Sequence, residues 1–410
     1  MRKSDLVVMK FGGTSVADPE KILRAAERAV QARRRGQDVV VVVSAPGEMT
    51  DELIDLAHRV SEDPDARELD ALLATGEQMS IALFAMACRS LGAAAISLTG
   101  PQAGILADER HTRSRILEIR PQKILRELSA GKIVAVAGFQ GINPDDDITT
   151  LGRGGSDLTA VALAAVMKAS RCEIFTDVKG VYTADPRIVP DARMIGRISY
   201  EEMLELADAG AQVMQARSID MANRYGVRIH VRSSFQAGPG TWIEKVREGP
   251  MEDATVSSLA LDKGEVRLTV VEVPDKPGIA ARVITELAKR DIPLDMIVQS
   301  APTHSGVNDI SLMTPRPSAG TAKAALEALA RRIGAKRVDL TEAVAKVTVV
   351  GTGFRRHPAV AAKMFGALAD AGINILMIST TDLKLCCVVD SRHAETAVRV
   401  LHKLFKLGRK

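Results

Sequence analysis

The feature that most constrains this chain is an internal repeat. Lys276-Pro277-Gly278-Ile279-Ala280-Ala281-Arg282-Val283 aligns with His357-Pro358-Ala359-Val360-Ala361-Ala362-Lys363-Met364 at an offset of 81 residues. Carried through Ile297 and Ile378, the alignment spans 22 positions, of which eight are identical. An alternating strand pattern precedes each copy (266–271 and 347–350) and another follows it (308–313 and 384–389). With a second helix such as 321–333, the unit reads βαββαβ, a ferredoxin-like plan used twice.

Upstream, from residue 1 to about 245, the texture differs. Short β-branched runs at 6–10, 39–43, 133–137 and 172–176 alternate with Ala-rich helical patterns at 19–35, 51–60 and 75–91. This alternation predicts an α/β domain whose mostly parallel sheet is covered on both faces. The expected organisation is therefore an α/β domain over 1–245, a charged linker with room for an extra strand over 246–262, and repeat modules over 263–340 and 341–410.

Composition narrows the function classes. Lys and Arg number 55 against 51 Asp and Glu, so the net charge of +4 is too diffuse for a nucleic-acid footprint. The one sharp basic run, Arg33-Arg34-Arg35 before Gly36, reads as a solvated helix end. With 8 Phe, 3 Tyr and 1 Trp, the chain is short of base-stacking platforms. No apolar run approaches the ~18 residues of a membrane span. The start, Met1-Arg2-Lys3-Ser4-Asp5, leads straight into a strand and suggests no export signal. Four cysteines without a C-x-x-C pair argue against structural zinc or a disulfide framework, and adjacent Cys386 and Cys387 point to opposite faces of a strand. A cytoplasmic multidomain enzyme is the expectation, with no nucleic-acid or membrane partner.

Several turns carry chemistry. In Lys10-Phe11-Gly12-Gly13-Thr14-Ser15 two glycines let backbone N–H groups approach a phosphate, and Lys10 adds a point charge. It is neither a Walker A loop nor the spaced-glycine dinucleotide fingerprint. A second glycine-rich turn, Leu151-Gly152-Arg153-Gly154-Gly155-Ser156-Asp157, opens a small-residue helix. There Arg153 can fork onto a carboxylate, while Asp157 could simply complement the helix dipole. Thr75-Gly76-Glu77-Gln78 fits a capping box, which puts Glu77 in a first helical turn. Thr176-Asp177-Val178-Lys179-Gly180-Val181-Tyr182-Thr183-Ala184-Asp185-Pro186-Arg187 leaves the end of a strand, where ligands of open α/β sheets bind, and Ser44-Ala45-Pro46-Gly47 joins it. Two glycine turns in one domain imply two anionic groups held face to face.

Taken together, these motifs resemble the amino acid kinase family, in the form that carries two ACT domains and phosphorylates the β-carboxylate of L-aspartate. Val231-Arg232-Ser233-Ser234-Phe235 and Ile378-Ser379-Thr380 add to the likeness, which runs from Val7 to about Val389. It implies a three-layer sandwich followed by the two ferredoxin-like modules. It also implies a phosphotransferase with a carboxyl acceptor and Mg2+-ATP, at the entry to lysine, threonine and methionine biosynthesis.

By the same resemblance, Lys10 and Asp157 are catalytic. ATP contacts fall to Lys10, Phe11, Gly12, Gly13, Ser44, Thr176, Asp177, Tyr182, Thr183, Ala184, Asp185, Pro186, Arg187 and Gln212, the last standing where many relatives place a lysine. Aspartate falls to Thr14, Ser15, Thr50, Glu77, Arg153, Gly154, Gly155 and Ser156, with Arg153 on its α-carboxylate and Glu77 on its α-amino group. Lysine, threonine or both would act as effectors through Asp275, Gly278, Ile279, Ala280, Gln299, Asn374, Ile375 and Asp382, with the tighter site at Gly278. No direct protein ligand for the metal is implied. Self-association follows, as a homodimer or larger, or as an α2β2 enzyme with a short subunit started internally at Met251. The readings left beside this one are another amino acid kinase and a non-catalytic amino-acid sensor.

Overall fold

The computed structural model describes residues 5–211, 213–246, 255–302 and 306–408. Gln212 and Met251 lie outside them. The chain divides into two compact units. The first gathers the described residues of Met1–Tyr182, Met194–Asp208 and Gln212–Glu248, and the second those of Thr183–Arg193, Ala209–Ala211 and Gly249–Lys410.

In the first unit the order is β1 (Leu6–Phe11), α1 (Pro19–Arg34), β2 (Asp38–Val43), α2 (Met49–Val60), α3 (Ala66–Ser90) and β3 (Ala95–Leu98). Then come β4 (Ile105–Ala107), β5 (Ile116–Ile119), α4 (Gln122–Ser129), β6 (Ile133–Ala137), β7 (Gln140–Ile142), β8 (Ile148–Thr150) and α5 (Gly155–Val166). The unit closes with β9 (Arg171–Thr176), β10 (Arg197–Ile198), α6 (Tyr200–Asp208), α7 (Ala216–Tyr225), β11 (Ile229–Ser233) and β12 (Thr241–Ile243).

Eight strands form one sheet in the order β10-β12-β11-β9-β1-β2-β6-β3. Every pair in it is parallel except β11 with β12. The central strands are near-continuous apolar runs because helices cover both faces, and Val39 to Val43 are wholly buried. Helix α1 starts where Asp18 accepts the Lys21 amide at 2.8 Å, with Pro19 in its first turn. Strands β4, β5, β7 and β8 make a smaller sheet in the order β5-β4-β7-β8.

One sequence reading fails here. Helix α3 begins at Ala66, capped by Asp65, so Thr75-Gly76-Glu77-Gln78 lies mid-helix and is not a capping box. The Thr75 hydroxyl donates to Leu72 O at 2.7 Å instead. A box pattern inside an apolar helix mimics a start, and the true cap sat in a polar stretch with little periodicity.

The second unit holds two four-stranded antiparallel sheets. The first repeat supplies β14 (Glu265–Pro274), α8 (Ile279–Ala288), β15 (Ile297–Gln299), β16 (Val307–Pro315), α9 (Ala319–Ile333) and β17 (Arg337–Thr341), in sheet order β15-β16-β14-β17. The second supplies β18 (Val344–Thr352), α10 (Pro358–Asp370), β19 (Ile375–Thr380), β20 (Lys384–Asp390) and α11 (Ala394–Leu404). Its fourth strand departs from the βαββαβ plan: the place equivalent to β17 is taken by β13 (Thr255–Asp262), which precedes both repeats, in the order β13-β18-β20-β19. Strand β18 is buried along nearly all its length and needs a partner on both edges, and β13 supplies the second. After α11 the described chain adds only an isolated bridge between Gly408 and Ala192. A shared apolar cluster of Met296, Met313, Val344, Met377, Cys386 and Val388 joins the repeats.

Candidate active site

Strand β1 delivers Lys10 to the carboxyl end of the parallel sheet, in register with Val42 of β2 and Ile174 of β9. Lys10 Nζ lies 2.6 Å from Asp157 Oδ1, with both side chains nearly buried. Asp157 stands in the first turn of α5, whose residues from Gly155 to Ala164 are all buried behind the sheet. Its helix-dipole role is therefore joined by an ion pair with the one lysine of β1. Phe11 turns into the core, stacked on Phe175 with centroids 4.7 Å apart, and its carbonyl accepts the Ser44 amide.

The glycine turn after β1 is tight against its neighbours. A Cβ on Gly13 would stand 2.8 Å from both Ala45 O and Gly47 O, so only glycine fits. Gly47 N donates to Gly13 O at 3.0 Å, and Gly12 N reaches Phe175 O. The loop 44–47 thus seats on the Gly12-Gly13 turn, and on its other side it seats on α3. There a Cβ on Gly76 would meet Ala45 Cβ at 2.8 Å. That approach lets Ala45 N donate to Glu77 Oε1 at 3.0 Å. Glu77 is 3% exposed, and its Oε2 has no hydrogen-bond partner among the described residues. Burial pushes its pKa up to about 7, against the opposing pull of the Ala45 amide. A dipole role is gone, since the residue is mid-helix. What remains is a buried carboxyl group with one oxygen unpartnered among the described residues.

Of the other expected aspartate contacts, Ser15 and Ser156 are buried, Thr50 is half-buried and Thr14 is exposed. Ser15 Oγ and Ser234 Oγ are 2.5 Å apart. Ser156 packs on Gly138, where a Cβ would come within 2.6 Å of its Oγ. Gly154 caps α5 in the left-handed region at φ 72°, directly after Arg153, whose side chain is exposed.

Along the expected nucleotide segment, Thr176 donates to Asp177 Oδ1 at 3.0 Å, and Tyr182 bridges to Met194. From Thr183 on, the segment belongs to the second unit. Thr183 is buried, its hydroxyl engaged by His402 Nε2, Leu407 O and the Arg193 amide. Ala184 is buried as well, Pro186 is exposed, and Arg187 forks onto both oxygens of Asp185. Gln212 lies outside the described residues.

In the first repeat Gly278 caps α8 at φ 89°, between exposed Asp275 and buried Ile279, while Ala280 and Gln299 are exposed. Sequence reasoning missed Asn308. This buried residue donates from Nδ2 to Asp275 Oδ1 at 3.2 Å and keeps Oδ1 unpartnered among the described residues. In the second repeat α10 starts at Pro358 without a glycine; Asn374 is exposed, Ile375 and Asp382 half-buried. The other missed residue is Asp70, at zero exposure on α3. An acid on an apolar helix face, seven positions before Glu77, was the available signal.

The amino acid kinase family model matches residues 5–233, and ACT domain models match 267–334 and 347–405. An aspartokinase of Mycolicibacterium smegmatis is 48% identical over 406 residues, covering 98% of this chain and 96% of that protein. An aspartate kinase of Pseudomonas putida is 47% identical, covering 98% of each. Among solved structures, E. coli aspartokinase III in complex with aspartate and ADP (R-state) matches with a TM-score of 0.81 at 28% identity, over 97% of this chain and 99% of that one. The same enzyme with lysine and aspartate (T-state) matches at 0.78 and 28%, over 98% and 99%. With this likeness running the whole length of the chain, and with the Lys10 turn, the Glu77 helix and the twin repeats in place, the chain belongs to the aspartate kinases of the amino acid kinase family.

Proposed function

We propose that the chain transfers the γ-phosphoryl group of ATP to the β-carboxylate of L-aspartate, releasing ADP and 4-phospho-L-aspartate. The observation that carries this reading is the buried, unpartnered Oε2 of Glu77, a counter-charge suited to the substrate's ammonium. A β-carboxylate is already ionised at neutral pH, so the step needs no general base. It needs two anions brought together and their charge neutralised. Lys10 and the amide of Gly13 neutralise the moving phosphoryl group, the Gly12 amide being turned to Phe175 O; Asp157 orients Lys10, and Arg153 holds the α-carboxylate. Thr14, Ser15, Thr50, Gly154, Gly155 and Ser156 line the aspartate side. The nucleotide falls to Ser44, Thr176, Asp177, Tyr182, Gln212 and residues 184–187, while Phe11 serves the core, its carbonyl already on the Ser44 amide. Thr183 drops out of that set, because its hydroxyl is engaged and its backbone N–H and C=O are already bonded to Arg193 O and the Leu259 amide. Magnesium, which ATP carries at its phosphates, finds no cluster of three or more His, Cys, Asp or Glu ligands among the described residues. The chain's own contribution is the positioning just described.

The ACT repeats bind lysine, threonine or both. Asp275, Gly278, Ile279, Ala280 and Gln299 serve in the first, and Asn374, Ile375 and Asp382 in the second. The unpartnered Oδ1 of Asn308 supports the first as the tighter site. Self-association, as a homodimer or as α2β2 with a short subunit from Met251, is supported by the apolar side chains on edge strands β15 and β19, where Ile297 and Ile378 are about half exposed. We place the enzyme in the cytoplasm and the domain limits at 245, 262 and 340.

Trapping acyl phosphate with hydroxylamine tests the reaction. L-aspartate should give hydroxamate, and glutamate, N-acetylglutamate and carbamate should give none. Turnover on one of these alone would replace the reading with another amino acid kinase, and no turnover at all would leave a sensor.

A further inference from the structure

We propose that Asp70 is a positioning residue for aspartate recognition, setting the spacing between Glu77 on its own helix and Arg153 on the segment it grips. The inference rests on the reading of Glu77 and Arg153 as the contacts for the two α-substituents of the substrate.

Asp70 is fully buried, and a carboxylate in that position persists only when its oxygens are bonded. Its partners come from two other segments. Thr112 N donates to Oδ1 at 3.1 Å and to Oδ2 at 2.9 Å. His111 Nδ1 lies 2.9 Å from Oδ2, and the Thr150 hydroxyl donates to Oδ1. Thr112 sits at φ 63°, in the left-handed region where a β-branched residue is strained, so the carboxylate holds a conformation the segment would not choose alone.

From there the connection to Arg153 is continuous. Ser114 N and Oγ both donate to Thr150 O at 2.9 Å. Arg217 braces the far side, giving NH1 to Leu151 O at 2.7 Å and NH2 to Ser114 O at 3.2 Å. Gly152, at φ 73°, passes so near that a Cβ would stand 3.1 Å from Thr112 O. Arg153 follows directly. In the other direction Asp70 and Glu77 are seven residues apart on α3, two turns along one face and roughly 10 Å in rise. One carboxylate therefore ties the helix bearing the amino-group contact to the turn bearing the carboxylate contact. Loosening it displaces one contact against the other.

The test compares Asp70→Asn, Thr150→Val and Thr150→Ser by KM for each substrate and by thermal unfolding. Asp70→Asn and Thr150→Val should raise the aspartate KM by about tenfold or more with the ATP KM nearly unchanged, and Thr150→Ser, which keeps the hydroxyl, should restore the wild-type value. Combined with Arg153→Ala, Asp70→Asn should add little further loss, because both act on one contact. Parallel rises in both KM values, failure of serine to rescue, or full additivity with Arg153→Ala would overturn the proposal. If Asp70→Asn does not fold, the Thr150 pair decides. Should Arg153→Ala alone leave the aspartate KM unchanged, the reading of Arg153 fails rather than the link from Asp70 to its segment, and this inference goes with it.

Discussion

Glu77 takes the Ala45 amide on Oε1 at 3.0 Å and keeps Oε2 buried and unpartnered among the described residues. Its pKa, raised by burial to about 7 from 4.5, makes folding favour the protonated form. Stability from this group is thus full below about pH 4.5 and is lost as the pH rises to about 7, a change of ~3 kcal/mol. Glu77→Gln should melt higher than the wild type at pH 8 while binding aspartate far more weakly. In the wild type kcat/KM for aspartate should climb up to about pH 7, and that limb should vanish in the variant. A profile unchanged by the substitution would remove Glu77 from the site.

Lys10→Ala should raise the barrier by at least ~3 kcal/mol, the scale of losing one preorganised charge at a developing anion. Steady-state turnover checks this, with circular dichroism to confirm the fold. More than about a tenth of wild-type activity would reassign the lysine.

Arg153 is exposed, so Arg153→Ala should leave the melting temperature unchanged. Its effect should fall on the aspartate KM, well beyond any change in the ATP KM. Equal effects on both substrates would move the residue to the nucleotide side.

Lys346 is 4% exposed by side chain and pairs with Asp295 and Glu265. Burial, with Asp295 and Asp262 nearby, still raises Glu265 to about 7 against the pull of Lys346. Removing the lysine strands those carboxylates, so Lys346→Met should destabilise the regulatory unit by about 3–5 kcal/mol. Calorimetry should find Glu265→Gln in the same chain recovering part of that loss; a neutral single variant would count against the pairing.

Feedback should show at low aspartate, tested with lysine, threonine and both together. A coupling of ~1–3 kcal/mol predicts five- to 150-fold weaker substrate binding at saturation. Asp275→Ala should relieve it more than Asp382→Ala. Indifference to every such amino acid would end the regulatory reading.

Periodicity made most of the architecture legible beforehand. The apolar runs of β1, β2, β6 and β9 could only be inner strands of a parallel sheet, and the 81-residue repeat announced two like modules. What stayed hidden depended on distant partners. The start of α3 was masked by a box pattern inside it, and although room for an extra strand ahead of the first module was legible, its place in the second module was not. Among candidate site residues, Lys10 and the glycines stood out because such turns have few other uses, whereas Glu77 was singled out in a box pattern that the helix does not use as a cap. Asp70 and Asn308 were not, because a buried polar side chain is recognised by what it touches, which no local pattern encodes.

The loan of β13 to the later module has a consequence for how the chain matures. Asp262 pairs with Lys346, so a strand synthesised early has to wait while the intervening module is made. Until β18 emerges, β13 is an open edge without a mate, and the first module can close without it. Completion of the regulatory unit is thereby a late, long-range event that a chain interrupted before β18 never reaches.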